Sequence, residues 1–341
     1  MGHSTRVFAT CCALAATIGV AACGSSSNST NTGSSAVAAA GGGEMGKGLR
    51  FIFVGNQSKA TPTASLLVNG AKAADGAFGT KTEYRAVQGQ TFDANEERRI
   101  LESALAQKPD GVIVANAAPP QLNATIKKIA DAGIPVVLVN AGLGETANTG
   151  ALTYIGNDEE GTGVLGGQLL GKTGAKHALL ITLQPGIPVG DLRTKGFKQG
   201  FPGKVTTVEL SVKDLFDSTK VRNITQAELE KDKSIDSAFT IGDCCSAPML
   251  AAAKAVGSRA ENMHFGTIDL GKPTLEGIKG GTMDFGLDQQ AWMQGYLGVQ
   301  TLLLNVRYGM QPGSDLTATG PVPVDKANVD RVVELTGKGI R

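Results

Sequence analysis

Amides and carboxylates recur at one kind of place in this chain: directly after short apolar runs. Asn56 and Gln57 follow residues 49–54, Asn116 follows 111–114, Asn140 follows 135–139, and Asn157 with Asp158 follows 151–155. Farther on, a Pro/Gly-rich stretch at 184–190 delivers Asp191 and Arg193. Asp214, Phe216 and Asp217 follow 206–212, and Asp243 with the adjacent Cys244 and Cys245 follows 235–241. Asp269 follows 263–268, and Asp288 with Gln289 follows 283–287. Such side chains accept hydrogen bonds from hydroxyls, and the amides also donate. A single Asx residue after a strand ordinarily caps a helix or fills a turn. A row of them at nearly every exit points to a hydroxyl-bearing small molecule held by binding alone.

Strings that suggest other chemistry lose on context. Residues 166–173, Gly-Gly-Gln-Leu-Leu-Gly-Lys-Thr, satisfy P-loop spacing. A P-loop needs a strand entering and a helix leaving, so that backbone N–H groups meet phosphate. Here a helical stretch enters and the apolar run 178–182 leaves, so Gly171-Lys172 reads as a helix stop with a cation at the negative dipole end. Residues 161–166 match the dinucleotide fingerprint, yet Asp158, Glu159 and Glu160 crowd the pyrophosphate position. No acidic residue stands about twenty residues on to hold a ribose. His177 and His264 lie beside or within apolar runs, neither is near a Gly-x-Ser-x-Gly turn, and no cluster has metal-ligand spacing. The expectation is a protein that is not an enzyme, with no metal and no cofactor. With a formal net charge of +1 and no basic stripe, nucleic acid is not an expected partner.

The apolar runs alternate with amphipathic stretches. Helices are predicted over 62–74, 94–106 and 119–132, and the pattern restarts with helices over 161–170, 193–201, 219–230 and 247–256. A short helix at 273–279, a strand at 283–287 and a long helix at 290–308 follow, and 315–324, with two prolines, reads as irregular or strand-edge. Continuous Val/Ile strands separated by helices predict an α/β fold of two doubly wound parallel-sheet lobes in series. In such sheets ligands bind beyond the carboxyl ends of the strands, where the polar row lies.

The amino terminus adds a compartment. A weakly basic start with Arg6 precedes an apolar run at 7–20, too short to span a bilayer comfortably and without a stop-transfer flank. It ends in Val20-Ala21-Ala22-Cys23-Gly24, which resembles the lipobox of bacterial lipoproteins and implies cleavage before an acylated Cys23. Residues 24–48 carry almost no large side chains and read as a flexible tether. The protein is therefore expected to be exported and lipid-anchored at the outer face of the cell membrane, or periplasmic. Of five cysteines, Cys11 and Cys12 leave with the signal and Cys23 takes the lipid, so Cys244 and Cys245 have only each other as intrachain partners. Two states stay open for them: a vicinal disulfide beside the ligand, or two thiols capping the following helix.

From residue 49 onward the chain resembles the ribose and galactose type of periplasmic solute-binding proteins, the sugar-receiving components of ABC importers. The resemblance is carried by residues 135–140 (PVVLVN), 154–158 (YIGND), 193–197 (RTKGF) and 265–269 (FGTID), in this order and spacing. It implies two lobes joined by three crossings, here near Asn157, Gln289 and residues 315–319. The first lobe is then 49–156 plus 290–314, and the second 157–289 plus 315–341. It implies a monomer that closes around a sugar or polyol and docks on a membrane permease, or alternatively a sensor of the same fold feeding a membrane signalling protein, or a receptor for a non-sugar small molecule. Asn140 stands where the ribose type has a ligand-binding Asp, and Ala141 and Asp191 where it has Arg residues. Phe216 matches a ring that stacks on sugar, and Asp269 and Gln289 match hydroxyl-binding residues. Thr61 and Gly242 fall at ligand Asn positions, Thr63 and Ala64 at two Phe. Two guanidinium forks and two rings are missing, which disfavours ribose and suits a linear polyol, a small or modified sugar, or a cationic sugar derivative.

Overall fold

The computed structural model describes residues 43–88 and 92–341; the signal segment, the lipobox Cys23 and residues 24–42 of the tether lie outside it. In chain order the first part forms β1 (Arg50–Gly55), α1 (Pro62–Phe78), β2 (Lys81–Ala86), α2 (Ala94–Gln107), β3 (Gly111–Val114), α3 (Pro119–Asp131), β4 (Val136–Val139), α4 (Thr146–Thr149) and β5 (Tyr154–Asn157). The second forms α5 (Glu159–Lys172), β6 (His177–Leu183), α6 (Pro188–Gly200), β7 (Lys204–Leu210), α7 (Val212–Leu215), α8 (Ser218–Lys231), β8 (Ser237–Thr240), α9 (Ser246–Ala255), β9 (His264–Ile268), α10 (Lys272–Gly280) and β10 (Phe285–Asp288). The chain closes with α11 (Ala291–Tyr308), β11 (Leu316–Gly320), β12 (Val322–Asp325) and α12 (Val329–Thr336).

Two six-stranded sheets result, ordered β11-β5-β4-β3-β1-β2 and β12-β10-β9-β8-β6-β7. All pairings are parallel except β10 with β12. The runs GVIV of β3 and VVLV of β4 are buried at every position, as strands covered on both faces must be. The architecture is the predicted pair of doubly wound α/β lobes.

Two boundaries differ from the sequence reading. Residues 316–320, expected in the second lobe, extend the first sheet beside β5, so the third crossing falls at Gly320-Pro321-Val322. The two prolines obscured two short strands, one at the edge of each sheet. The tether also ends sooner: Gly43 N–H bonds Ala77 O at 2.9 Å, and Arg307 donates to Met45 O at 3.1 Å and Lys47 O at 2.6 Å. Glycine and lysine composition hid a turn that packs Met45 on the core of the first lobe.

The glycines of the two rejected motifs have a packing role. A Cβ at Gly163 would lie 2.2 Å from the carbonyl oxygen of Arg193, and one at Gly196 would lie 2.0 Å from that of Glu160. The backbones of α5 and α6 thus touch. This close crossing, not a phosphate, explains the Gly-rich string, and it sets Glu159 and Arg193 face to face.

Candidate functional site

The carboxyl ends of both sheets face one cleft of about 480 Å³ between the lobes. The second lobe lines it with a connected chain of polar groups. α6 begins at Pro188, a turn earlier than predicted, so Arg193 lies inside the helix and buried. Its Nε donates to Glu159 Oε2 at 2.6 Å, Nη1 to Ile241 O at 2.8 Å and Nη2 to Gln289 Oε1 at 3.2 Å. Gln289 Nε2 in turn donates to Asp269 Oδ1 at 2.5 Å. Burial pushes the Asp269 carboxyl up to about 6, against the opposing pull of Arg193 and the Gln289 hydrogen bond. Glu159 Oε1 is buried with no protein partner among the described residues. Asp243, the cleft residue beside Gly242, accepts from Thr274 Oγ1 at 2.6 Å.

The first lobe contributes mostly amides. Asn56 and Asn140 line the cleft half-buried, and their side chains make no hydrogen bond among the described residues. Asn116 is buried: Nδ2 donates to Asn123 Oδ1 at 2.8 Å, while Oδ1 has no partner. Asn123 is fixed in turn by Glu145 Oε2 at 2.7 Å. Thr61 precedes α1 but does not cap it; its hydroxyl reaches back to Gln57 Oε1 at 3.0 Å and Ser58 O at 3.1 Å, tying down the loop after β1. Thr63 lines the same wall.

Asn140 and Asp269 occupy equivalent places after the third strand from one edge of each sheet, and both have left-handed backbones, φ 62 and 72. Asn and Asp tolerate this region best among residues with a Cβ. The kink turns each side chain out of its strand at the point where the lobes face each other.

Most residues singled out from the sequence line this one cleft: Asn56, Thr61, Thr63, Asn140, Arg193, Phe216, Gly242, Cys244, Asp269 and Gln289. Asp191 does not. It sits exposed in the first turn of α6 and accepts from Gly186 N–H at 3.0 Å, closing its own loop. The earlier helix start is the reason: it turns Leu192 and Arg193 inward and Asp191 outward. The vicinal disulfide is also absent. The sulfurs lie 3.8 Å apart in a single 3-10 turn, with Cys245 buried toward Leu215 O and Cys244 on the cleft wall. Neighbouring Cα atoms about 3.8 Å apart fall below the usual disulfide range, and the helical turn leaves each thiol in its own environment.

Sequence reasoning did not carry Tyr154, Glu159, Glu145 or Arg341 into the site, though each lines the cleft. In the sequence Glu159 stands out only as one of three acids that argue against a pyrophosphate. Arg341 lies far from any strand exit and gave no signal.

A family model described as the periplasmic binding protein domain matches residues 52–309. The chain belongs to that family. Among solved structures, this periplasmic binding protein is similar to a carbohydrate transporter from Acidothermus cellulolyticus 11B in complex with myo-inositol, at 30% identity over 86% of this chain and 99% of that one, with a TM-score of 0.77. It is also similar to the sugar-binding protein of a sugar ABC transporter from Bacillus halodurans, at 25% identity over 83% and 99%, TM-score 0.73. A periplasmic ribose ABC transporter protein from Conexibacter woesei DSM 14684 shares the fold at 19% identity over 88% and 99%, TM-score 0.75. Among curated proteins, none matches by sequence.

Proposed function

We propose that the protein is the extracytoplasmic, lipid-anchored receptor of an ABC importer, capturing a neutral sugar or cyclic polyol by closure of its lobes. The observation that carries this reading is that hydrogen-bonding side chains line one cleft from both sides, Asn56, Asn116 and Asn140 from the first lobe and Glu159, Asp269 and Gln289 from the second. A ligand rich in hydroxyl donors satisfies both walls only when the lobes meet on it, which makes the closed form the one that ligand favours. A cyclitol suits these walls better than ribose does. It presents hydroxyls on every carbon and has no ring oxygen calling for the missing guanidinium forks. The similar carbohydrate transporter bound to myo-inositol supports the same class. Acylation of Cys23 would hold the receptor at the membrane, and the closed lobes would present a joint surface to the permease.

The test is thermal unfolding of the exported chain carrying Cys23→Ser, against myo-inositol, pentoses, hexoses, linear polyols and amino sugars. A true ligand at 100 times Kd stabilises by about 2.7 kcal/mol, which raises Tm by about 5 °C or more. No shift with any compound sinks the reading. Retention of the unsubstituted chain in the detergent phase, lost on Cys23→Ser, checks the anchor. Loss of uptake on deletion separates transport from sensing.

A further inference from the structure

The end of the chain turns back on the crossings. α12 finishes in a left-handed reversal at Gly339, φ 67, whose N–H bonds Thr336 O at 2.9 Å while Ile340 N–H bonds Leu335 O at 3.1 Å. These two bonds form a Schellman motif, which satisfies the last carbonyls and sends the chain off the helix axis. The reversal sets Gly339 O 3.1 Å from Asn69 Nδ2, on α1 of the first lobe. A Cβ at Gly339 would lie 2.8 Å from that same nitrogen, and the left-handed backbone there favours glycine.

Two residues on, Arg341 reaches the cleft. Its Nε donates to Asp288 Oδ2 at 2.7 Å, and Nη2 donates to the same oxygen. The other oxygen of this buried carboxylate accepts Gln290 N–H at 2.7 Å, where the second crossing enters α11 through a left-handed residue, φ 55. One carboxylate thus ties the chain end to a crossing. Arg341 Nη1 has no protein partner among the described residues. Each nitrogen of the Arg193 fork, in contrast, already donates within the protein, to Glu159, Ile241 and Gln289.

We propose that residues 337–341 form a strap from the second lobe across the crossings, delivering the Arg341 guanidinium to the cleft so that its free Nη1 donates to an oxygen of the bound polyol. The ligand contact rests on the function proposed above; the strap does not. In a cleft whose unpartnered side-chain oxygens accept, this guanidinium supplies a donor and selects ligands with an accepting oxygen at that end. Because both lobes and the crossing hold the strap, its docking and ligand binding favour one another.

The test uses the full chain carrying Cys23→Ser, with Arg341→Ala and Asn69→Ala, read by amide hydrogen exchange and by calorimetry with myo-inositol. Amides 338–341 should exchange more slowly than in a free peptide before any ligand is added, and faster in Asn69→Ala. Myo-inositol should slow them further. Arg341→Ala should weaken myo-inositol binding about tenfold, and it should also lower the unfolding midpoint of the ligand-free protein, because the buried Asp288 carboxylate loses its cation. Free-peptide exchange in the unsubstituted chain overturns the strap, whatever the ligand. Equal myo-inositol affinity in Arg341→Ala overturns the ligand contact. Should the unsubstituted chain bind neither myo-inositol nor any other sugar or polyol, the functional reading and the contact fall together, and hydrogen exchange still decides the strap.

Discussion

The two walls of the cleft are built from equivalent strand exits but by different chemistry. The second lobe holds a continuous relay, Glu159–Arg193–Gln289–Asp269, in which each side chain is fixed by its neighbour and Glu159 Oε1 and Asp269 Oδ2 are left without a partner among the described residues. The first lobe offers Asn56 and Asn140 with uncommitted amides, and only Asn116 is held on one side by Asn123. A fixed charged wall imposes hydrogen-bond geometry without reorganisation, whereas neutral amides donate or accept as the ligand requires. On the function proposed here, the second lobe would set selectivity and the first would adapt.

The largest effect should come from cutting the relay. Arg193→Ala leaves the Glu159 carboxylate without its partner and Asp269 without its nearby cation, and breaking a buried pair in this way costs about 3–5 kcal/mol. Urea unfolding should show that loss, and calorimetry should show no sugar or polyol binding. A mild phenotype would mean that the second wall is not the rigid one.

Asp269→Asn comes next, and its signature is pH. Burial raises the folded pKa of Asp269 from the ordinary 3.8 to about 6, so between these values the folded chain binds more protons than the unfolded one. Its contribution to stability is therefore greatest below pH 4, falls as pH rises toward 6, and is constant above. Ligand affinity runs the other way, because only the ionised carboxylate accepts from two directions. Affinity should increase between pH 5 and 7.5 in the unsubstituted protein, and both trends should flatten in Asp269→Asn. Parallel profiles for the two proteins would remove Asp269 from the site.

On the opposite wall, Asn140→Gly keeps the left-handed backbone at φ 62 and deletes the amide. One neutral hydrogen bond is worth about 1 kcal/mol, so affinity should drop about fivefold with no loss of Tm. A drop as large as that of Arg193→Ala would erase the asymmetry between the walls. The smallest effect belongs to Asp191→Ala, which opens an exposed loop bond to Gly186 and should leave calorimetric affinity within a factor of two.

Much of this arrangement is legible in the sequence because strand exits are. The buried runs of β3 and β4 and the Asx residues behind them need only local pattern, and they locate both sheets and most of the cleft. What escaped depended on angular phase or on distance along the chain. Asp191 and Arg193 differ by two residues, and only the true start of α6 decides which faces inward. The partnership of Glu159 with Arg193 follows from a helix crossing made possible by Gly163, which the sequence presents as part of a nucleotide motif, and by Gly196. Adjacent cysteines suggested a bond that the 3-10 turn keeps open. Arg341 is brought to Asp288 by a helix reversal that no strand-based reading would follow.

The first lobe takes its covering helix, α11, and its edge strand, β11, from beyond the second. Val299, Leu302 and Leu303 of that helix complete the core against Phe51, Phe53 and Ile113. An emerging chain therefore leaves this half without a lid until most of its length has been synthesised, whereas β6 to β10 arrive as one uninterrupted stretch. The second half in turn takes its edge strand, β12, and the core residues Val329 and Val332 of α12 from the stretch that follows β11, so neither half closes its core before the chain is nearly finished.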